Sequence, residues 1–145
     1  MKLNRKVEFA LIALRHMNSK KPGVLTPVKE ISDLFGCSFD VTSQVLQKLA
    51  QAGVLRSVHG AQGGYQIVKS LQAVSFYELN SLLTGPMGIA KCLHETGNVC
   101  GIRASCNIVT PVHNLNERLK AFYQNLPVAD LLESKSTADW GVANG

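Results

Sequence analysis

Three of the four cysteines, Cys92, Cys100 and Cys106, fall within fifteen residues, while Cys37 stands alone. Thiolates are the soft donors that iron–sulfur clusters take, and the C-x7-C-x5-C spacing supplies three of them, leaving one coordination position to fill. The same residues would also suit a three-Cys, one-His zinc site or a thiol–disulfide switch. Against zinc, the loop lacks the C-x2-C step that zinc knuckles favour. Cys37 reads as a small buried apolar residue. A second group suits a different chemistry. Between residues 38 and 52 the polar positions are Ser38, Asp40, Thr42, Ser43, Gln44, Gln47, Lys48 and Gln51. Short hydrogen-bonding groups at helical spacing can address base edges, which are read by donor and acceptor pattern. Gln44 and Gln47 suit that task; Thr42, Ser43 and Lys48 equally suit phosphates, which position without specifying.

The elements that must carry these residues can be read from periodicity. Leu3, Val7, Ala10, Leu11 and Leu14 give a helix over 3–17, ended by SKKPG at 19–23. Thr26 is expected as the N-cap of a helix reaching Phe35, with Pro27 at its first position. Ser38 caps a third helix with Asp40 in its first turn, favourable at the positive end of the dipole, and Gly53 ends it. Val41, Val45, Leu49 and Ala52 form its apolar stripe, with Leu46 beside it.

Strands near 54–58 and 65–68 follow, joined by HGAQGG. Gly60, Gly63 and Gly64 allow a tight tip that can approach a surface closely, carrying His59 and Gln62 toward a groove or phosphate. Lys2, Arg5 and Lys6 at the start of the first helix suit a neighbouring phosphate. Ser75 and Glu78 make a capping box that opens a short helix to Leu83. Residues 84–106 are Gly-rich and aperiodic, long enough to suggest a ligand organises them. The last helix, 107–126, has Val112, Leu115, Leu119, Phe122 and Leu126 at steps of 3, 4, 3 and 4, the spacing of a coiled-coil seam. Pro111 falls near its first turn.

The fold class is therefore mainly α with a small β-hairpin wing: a winged helix-turn-helix followed by a long C-terminal dimerisation helix. The divisions are 1–83 for the DNA-binding domain, 84–106 for the cysteine loop, 107–133 for the dimerisation helix and end segment, and 134–145 for a polar, flexible tail.

Composition narrows the function classes. At 145 residues, 46% apolar and 17% charged, the chain can bury a real core and is neither a disordered tail nor a coiled-coil rod. No apolar run approaches the ~18 residues of a membrane span. The opening segment mixes charges into its apolar stretch and lacks a small-residue cleavage site, so a cytoplasmic protein is expected. The net charge of +5 is uneven: residues 1–69 hold ten Lys and Arg against four Asp and Glu, whereas 70–145 hold five against six. A basic half beside a neutral one suggests a polyanion-binding module joined to something else. No nucleophile–base pair is visible, so an enzyme is not expected.

The segments V-T-S-Q-V-L-Q-K-L-A-Q-A-G-V-L (41–55) and S-V-H-G-A-Q-G-G-Y (57–65) resemble the Rrf-two family of winged-helix transcription regulators. That family includes iron–sulfur and nitric-oxide-sensing repressors of the IscR and NsrR type. The resemblance spans about 1–133, with K-V-E-F-A-L-I-A-L near the start and V-A-D-L-L near the end. It implies a homodimer joined through the long helix and a repressor of a near-palindromic double-stranded DNA operator. Its affinity would be controlled by an iron–sulfur cluster, 2Fe–2S or 4Fe–4S, in the cysteine loop. It also implies Glu8 as fourth ligand, supplied from the partner subunit, with His94, His113 and Asn107 as alternatives.

Two positions depart from the family pattern. His59 stands where the wing usually has Arg, and neutral His is the weaker ligand for a negative minor groove. Val109 stands where the IscR-type pattern has His, so that ligand set does not carry over. Two rival readings remain open: a metal-free family member sensing a small molecule or thiol oxidation, and a winged-helix interaction module that never touches DNA.

Overall fold

The computed structural model describes residues 2–93 and 100–133. Eight regular elements matter: α1 (Arg5–Asn18), α2 (Val28–Phe35), α3 (Phe39–Gln51), β1 (Leu55–Val58), β2 (Gly64–Ile67), α4 (Phe76–Thr84), α5 (Val109–Gln124) and α6 (Val128–Leu132). Asn4 caps α1 by accepting a 2.8 Å bond from the Lys6 N–H. Leu3 stays outside the helix and exposed, and the buried stripe is Val7, Ala10, Ala13, Leu14 and Met17. This stripe meets Ile31, Val45, Leu46, Leu49 and Leu79 in one core, where each large side chain contributes about 1.5–3 kcal/mol of burial.

The start of α2 differs from expectation. Thr26 does not cap it; Pro27, in extended conformation, occupies the cap position without a side-chain bond. Thr26 instead pairs with Tyr65, each N–H donating to the other's carbonyl at 2.9 Å. These two backbone bonds hold Thr26 fully buried against the hairpin, with its hydroxyl making no hydrogen bond. The segment before α2 thus forms a third edge on the β1–β2 hairpin, whose register runs Leu55 opposite Ile67 through Val58 opposite Gly64.

The capping box at α4 is present, with Ser75 Oγ accepting from the Glu78 N–H at 3.0 Å and Glu78 Oε2 accepting from the Ser75 N–H at 3.3 Å. Helix α5 begins at Val109, so Pro111 falls in the first turn, where a missing N–H costs nothing. Only Asn116 of α5 is buried. The helix leans on α4 through a Phe76–Tyr123 edge-to-face contact at 5.0 Å. Ile108, just before it, and Leu115 and Phe122 within it lie seven residues apart and are 54%, 51% and 62% exposed. The chain then returns: Phe76 N–H donates to Leu126 at 2.7 Å and Val128 N–H to Val74 at 2.8 Å. Val128 and Ala129 of α6 join the core of the first unit. The tail from residue 134 lies outside the described residues.

Candidate nucleic-acid interface and cysteine loop

Helix α3 is oriented by its buried side. Val45, Leu46 and Leu49 face the core, so Asp40, Gln44 and Gln47 stand exposed, with Ser43 and Lys48 half-buried. Ser38 Oγ accepts from the Val41 N–H at 3.4 Å, leaving its own proton free to donate. Thr42 is the exception. Its side chain is completely buried and its hydroxyl has no hydrogen-bond partner, so it cannot reach a phosphate. Periodicity explains this: Thr42 precedes Val45, Leu46 and Leu49 by three, four and seven positions and shares their face.

The wing tip is closed by a 3.0 Å bond from the Gly63 N–H to the Gly60 carbonyl, with Gly60 at φ +117°. His59, Gly60 and Gln62 are exposed. Gly63 and Gly64 serve the chain's own packing. A Cβ on Gly63 would overlap the Val58 carbonyl oxygen, and one on Gly64 would lie 2.7 Å from the Thr26 carbonyl carbon. Between the start of α2, the outer face of α3 and the wing runs a cleft of about 410 Å³, lined by Lys29, Phe39, Gln47, His59 and Gly60 among others. Lys29 and Phe39 were not expected there. The available signal was Phe39's position off the core stripe, between a cap and an acid.

Of the N-terminal basic residues, Lys2 lies elsewhere. Lys2 lines a second cleft of about 570 Å³, with Asn80, Met87, Ile89 and Tyr123, on the side where the cysteine loop begins. Arg5 Nη1 pairs with Glu8 Oε2 at 2.9 Å on an exposed surface. Such a pair contributes only ~0.3–0.5 kcal/mol, so a ligand competing for either member meets little resistance.

Cys92 sits in a 3-10 turn (Lys91–Leu93), and Cys106 ends another (Arg103–Ser105), whose Arg103 N–H donates to the Cys100 carbonyl at 3.1 Å. All three loop thiols are free and half-buried. Ile89 N–H donates to Asn116 Oδ1 at 3.1 Å, tying the start of the loop to α5. Among the described residues, no group of three or more His, Cys, Asp or Glu side chains is placed to hold a metal. His113 and Asn107 are exposed, and His94 lies outside the described residues. The donor set itself, three unpaired thiols and a carboxylate that can leave its partner, fits an iron–sulfur cluster chemically. Cys37 is different: it is buried, and desolvation pushes its thiol above the usual range.

Residues 3–134 match the sequence profile of Rrf2, described as an iron-dependent transcriptional regulator. The chain belongs to the Rrf2 family. It is 25% identical over 138 residues to the HTH-type transcriptional regulator NsrR of Bacillus subtilis, covering 93% of this chain and 92% of that one. Its fold is similar to that of CymR, the global cysteine regulator of B. subtilis. There the TM-score is 0.71 at 19% identity, covering 94% of this chain and 99% of that one. It is also similar to T. potens IscR, with a TM-score of 0.64 at 17% identity over 97% of each chain. As an Rrf2 protein it is a DNA-binding transcriptional regulator with the winged-helix fold of that family. No helix among the described residues is long and apolar enough to cross a membrane.

Proposed function

We propose that this Rrf2 protein is a homodimeric repressor whose operator affinity is set by an iron–sulfur cluster. The observation that carries the reading is the position of the three free thiols. They lie between a winged-helix unit and a long helix, and Ile108 just before that helix and Leu115 and Phe122 within it are heptad-spaced and exposed. Cys92, Cys100 and Cys106 would hold the cluster, with Glu8 of the partner subunit as fourth ligand. When bound, the cluster supplies a centre sensitive to redox state, nitric oxide and iron supply.

The chain's own residues do the rest. Gln44 and Gln47 address base edges, assisted by Asp40. Ser38, Ser43 and Lys48 hold phosphates, as do Arg5 and Lys6, while His59, Gly60 and Gln62 bring the wing to the duplex. Two such heads in a dimer would meet successive major grooves roughly 34 Å apart, on a near-palindromic site. The Asn116–Ile89 bond ties the start of the loop to the dimer helix, and the Lys2 cleft sets it beside the segment that leads into α1, so a change in the loop reaches both. The site of action is the cytoplasm, where reducing conditions keep the loop thiols free.

A metal-free thiol switch is the second reading, favoured because no three ligand side chains among the described residues are grouped to hold a metal. Anaerobic purification followed by iron and sulfide analysis separates the two. The cluster reading expects coloured protein that loses its iron on Cys106→Ala, and duplex affinity that falls steeply with salt. Colourless, iron-free protein that binds its operator normally would overturn it.

A further inference from the structure

Phe39 takes no part in the hydrophobic core. It is the first residue of α3, 52% exposed and flanked by Ser38 and Asp40. It nevertheless lines the cleft that also holds Gln47 and His59. Phe39, Ser43 and Gln47 follow at steps of four, so they stack along one side of the helix. In a helix-turn-helix the N-terminal residues of the second helix meet the base edges. The apolar group on a base edge in the major groove is the thymine 5-methyl, and an aromatic side chain is among its natural partners.

We propose that Phe39 is a specificity-determining residue that packs on a thymine methyl in each operator half-site. This rests on the duplex binding proposed above. It gives Phe39 a different task from the glutamines: they recognise hydrogen-bonding edges, whereas Phe39 recognises a methyl that only thymine carries. Water exposure of the ring in the free protein is relieved on binding, so the contact also adds affinity.

The test uses duplexes enriched from a random library by the anaerobically purified full-length protein. Each thymine of the enriched half-site is then replaced singly by uracil, which deletes the 5-methyl and leaves pairing intact. Binding by the wild-type chain is expected to weaken about fourfold at one position, the value of one buried methyl. F39A should bind the all-thymine duplex more weakly and lose sensitivity to uracil at that position alone. Its unchanged circular dichroism and melting would show that the fold is kept. Identical uracil profiles for F39A and wild type would overturn the assignment of Phe39 while leaving duplex binding intact. Failure to enrich any duplex would overturn the duplex reading, and this inference with it.

Discussion

Replacing Gly64 by Ala would drive a methyl group into the backbone that joins the wing to α2. An added Cβ would lie 2.7 Å from the Thr26 carbonyl carbon, 2.8 Å from its oxygen and 2.9 Å from the Pro27 nitrogen. None of these is the end of a flexible side chain, so none can swing away. Restoring ordinary contact requires the two segments to part by roughly half an ångström or more. The reciprocal Thr26–Tyr65 bonds, both 2.9 Å, would then stretch beyond useful length. Each is worth about 0.5–1.5 kcal/mol net, and leaving buried backbone groups unpaired adds to the loss, for a total of about 2–4 kcal/mol. For a chain of this size that lowers the melting temperature by roughly 6–12 °C.

Thermal denaturation followed by circular dichroism measures the effect directly. Gly101→Ala is the matched control, since nothing lies within 4 Å of its added Cβ. It should leave the midpoint unchanged or raise it slightly, by restricting the unfolded chain. A Gly64→Ala protein melting with the control would refute the tight approach of wing to α2. It would also remove the reason for assigning that glycine to packing.

Three other outcomes are expected. Leu115→Glu should convert a dimer into a monomer in sedimentation at micromolar concentration, because it places a charge in the centre of the exposed Ile108–Leu115–Phe122 row; a variant that still sediments as a dimer would place the interface elsewhere. Thr42→Val should hold or raise stability by about 1 kcal/mol and leave duplex affinity unchanged, since the buried hydroxyl has no partner to lose. A weakened duplex in titration would return Thr42 to the interface. Glu30 accepts from Lys20 at 2.5 Å and is bonded to His16 at 2.6 Å, and these two bonds, Lys20 first, hold its carboxyl below the ordinary value of 4.5. Its contribution is therefore complete above that value and is lost as pH falls through the lowered one. Glu30→Gln should flatten that part of the acid side of the melting-temperature profile, and an unaltered profile would show the cluster contributes nothing there.

Much of this molecule is local in origin, and those parts were legible in the residues. The Ser38 cap, the Ser75–Glu78 box and the hairpin all depend on groups within a few positions of one another, where helix and strand periods decide what meets what. Of the expected seam, Leu115 and Phe122 are exposed, whereas Leu126 falls beyond α5 and packs on the core. The division between a basic first half and a nearly neutral second half follows from the same order of residues. The family could also be recognised, because the helix and wing that carry the resemblance are contiguous.

Other features depend on which distant segment arrives. Thr26 looks like a cap until Tyr65 offers two backbone bonds. Thr42 looks like a phosphate ligand until the core closes over its face of α3. Gly64 needs its missing side chain only because Thr26 comes to lie against it, and Asn116 matters only because Ile89 reaches it from the loop. Phe39 comes to line a cleft with Gln47 and His59 only because the wing stands beside the outer face of α3. A polar or apolar residue carries its chemistry with it, but whether that chemistry meets core, solvent or ligand is settled by packing between elements far apart in the chain.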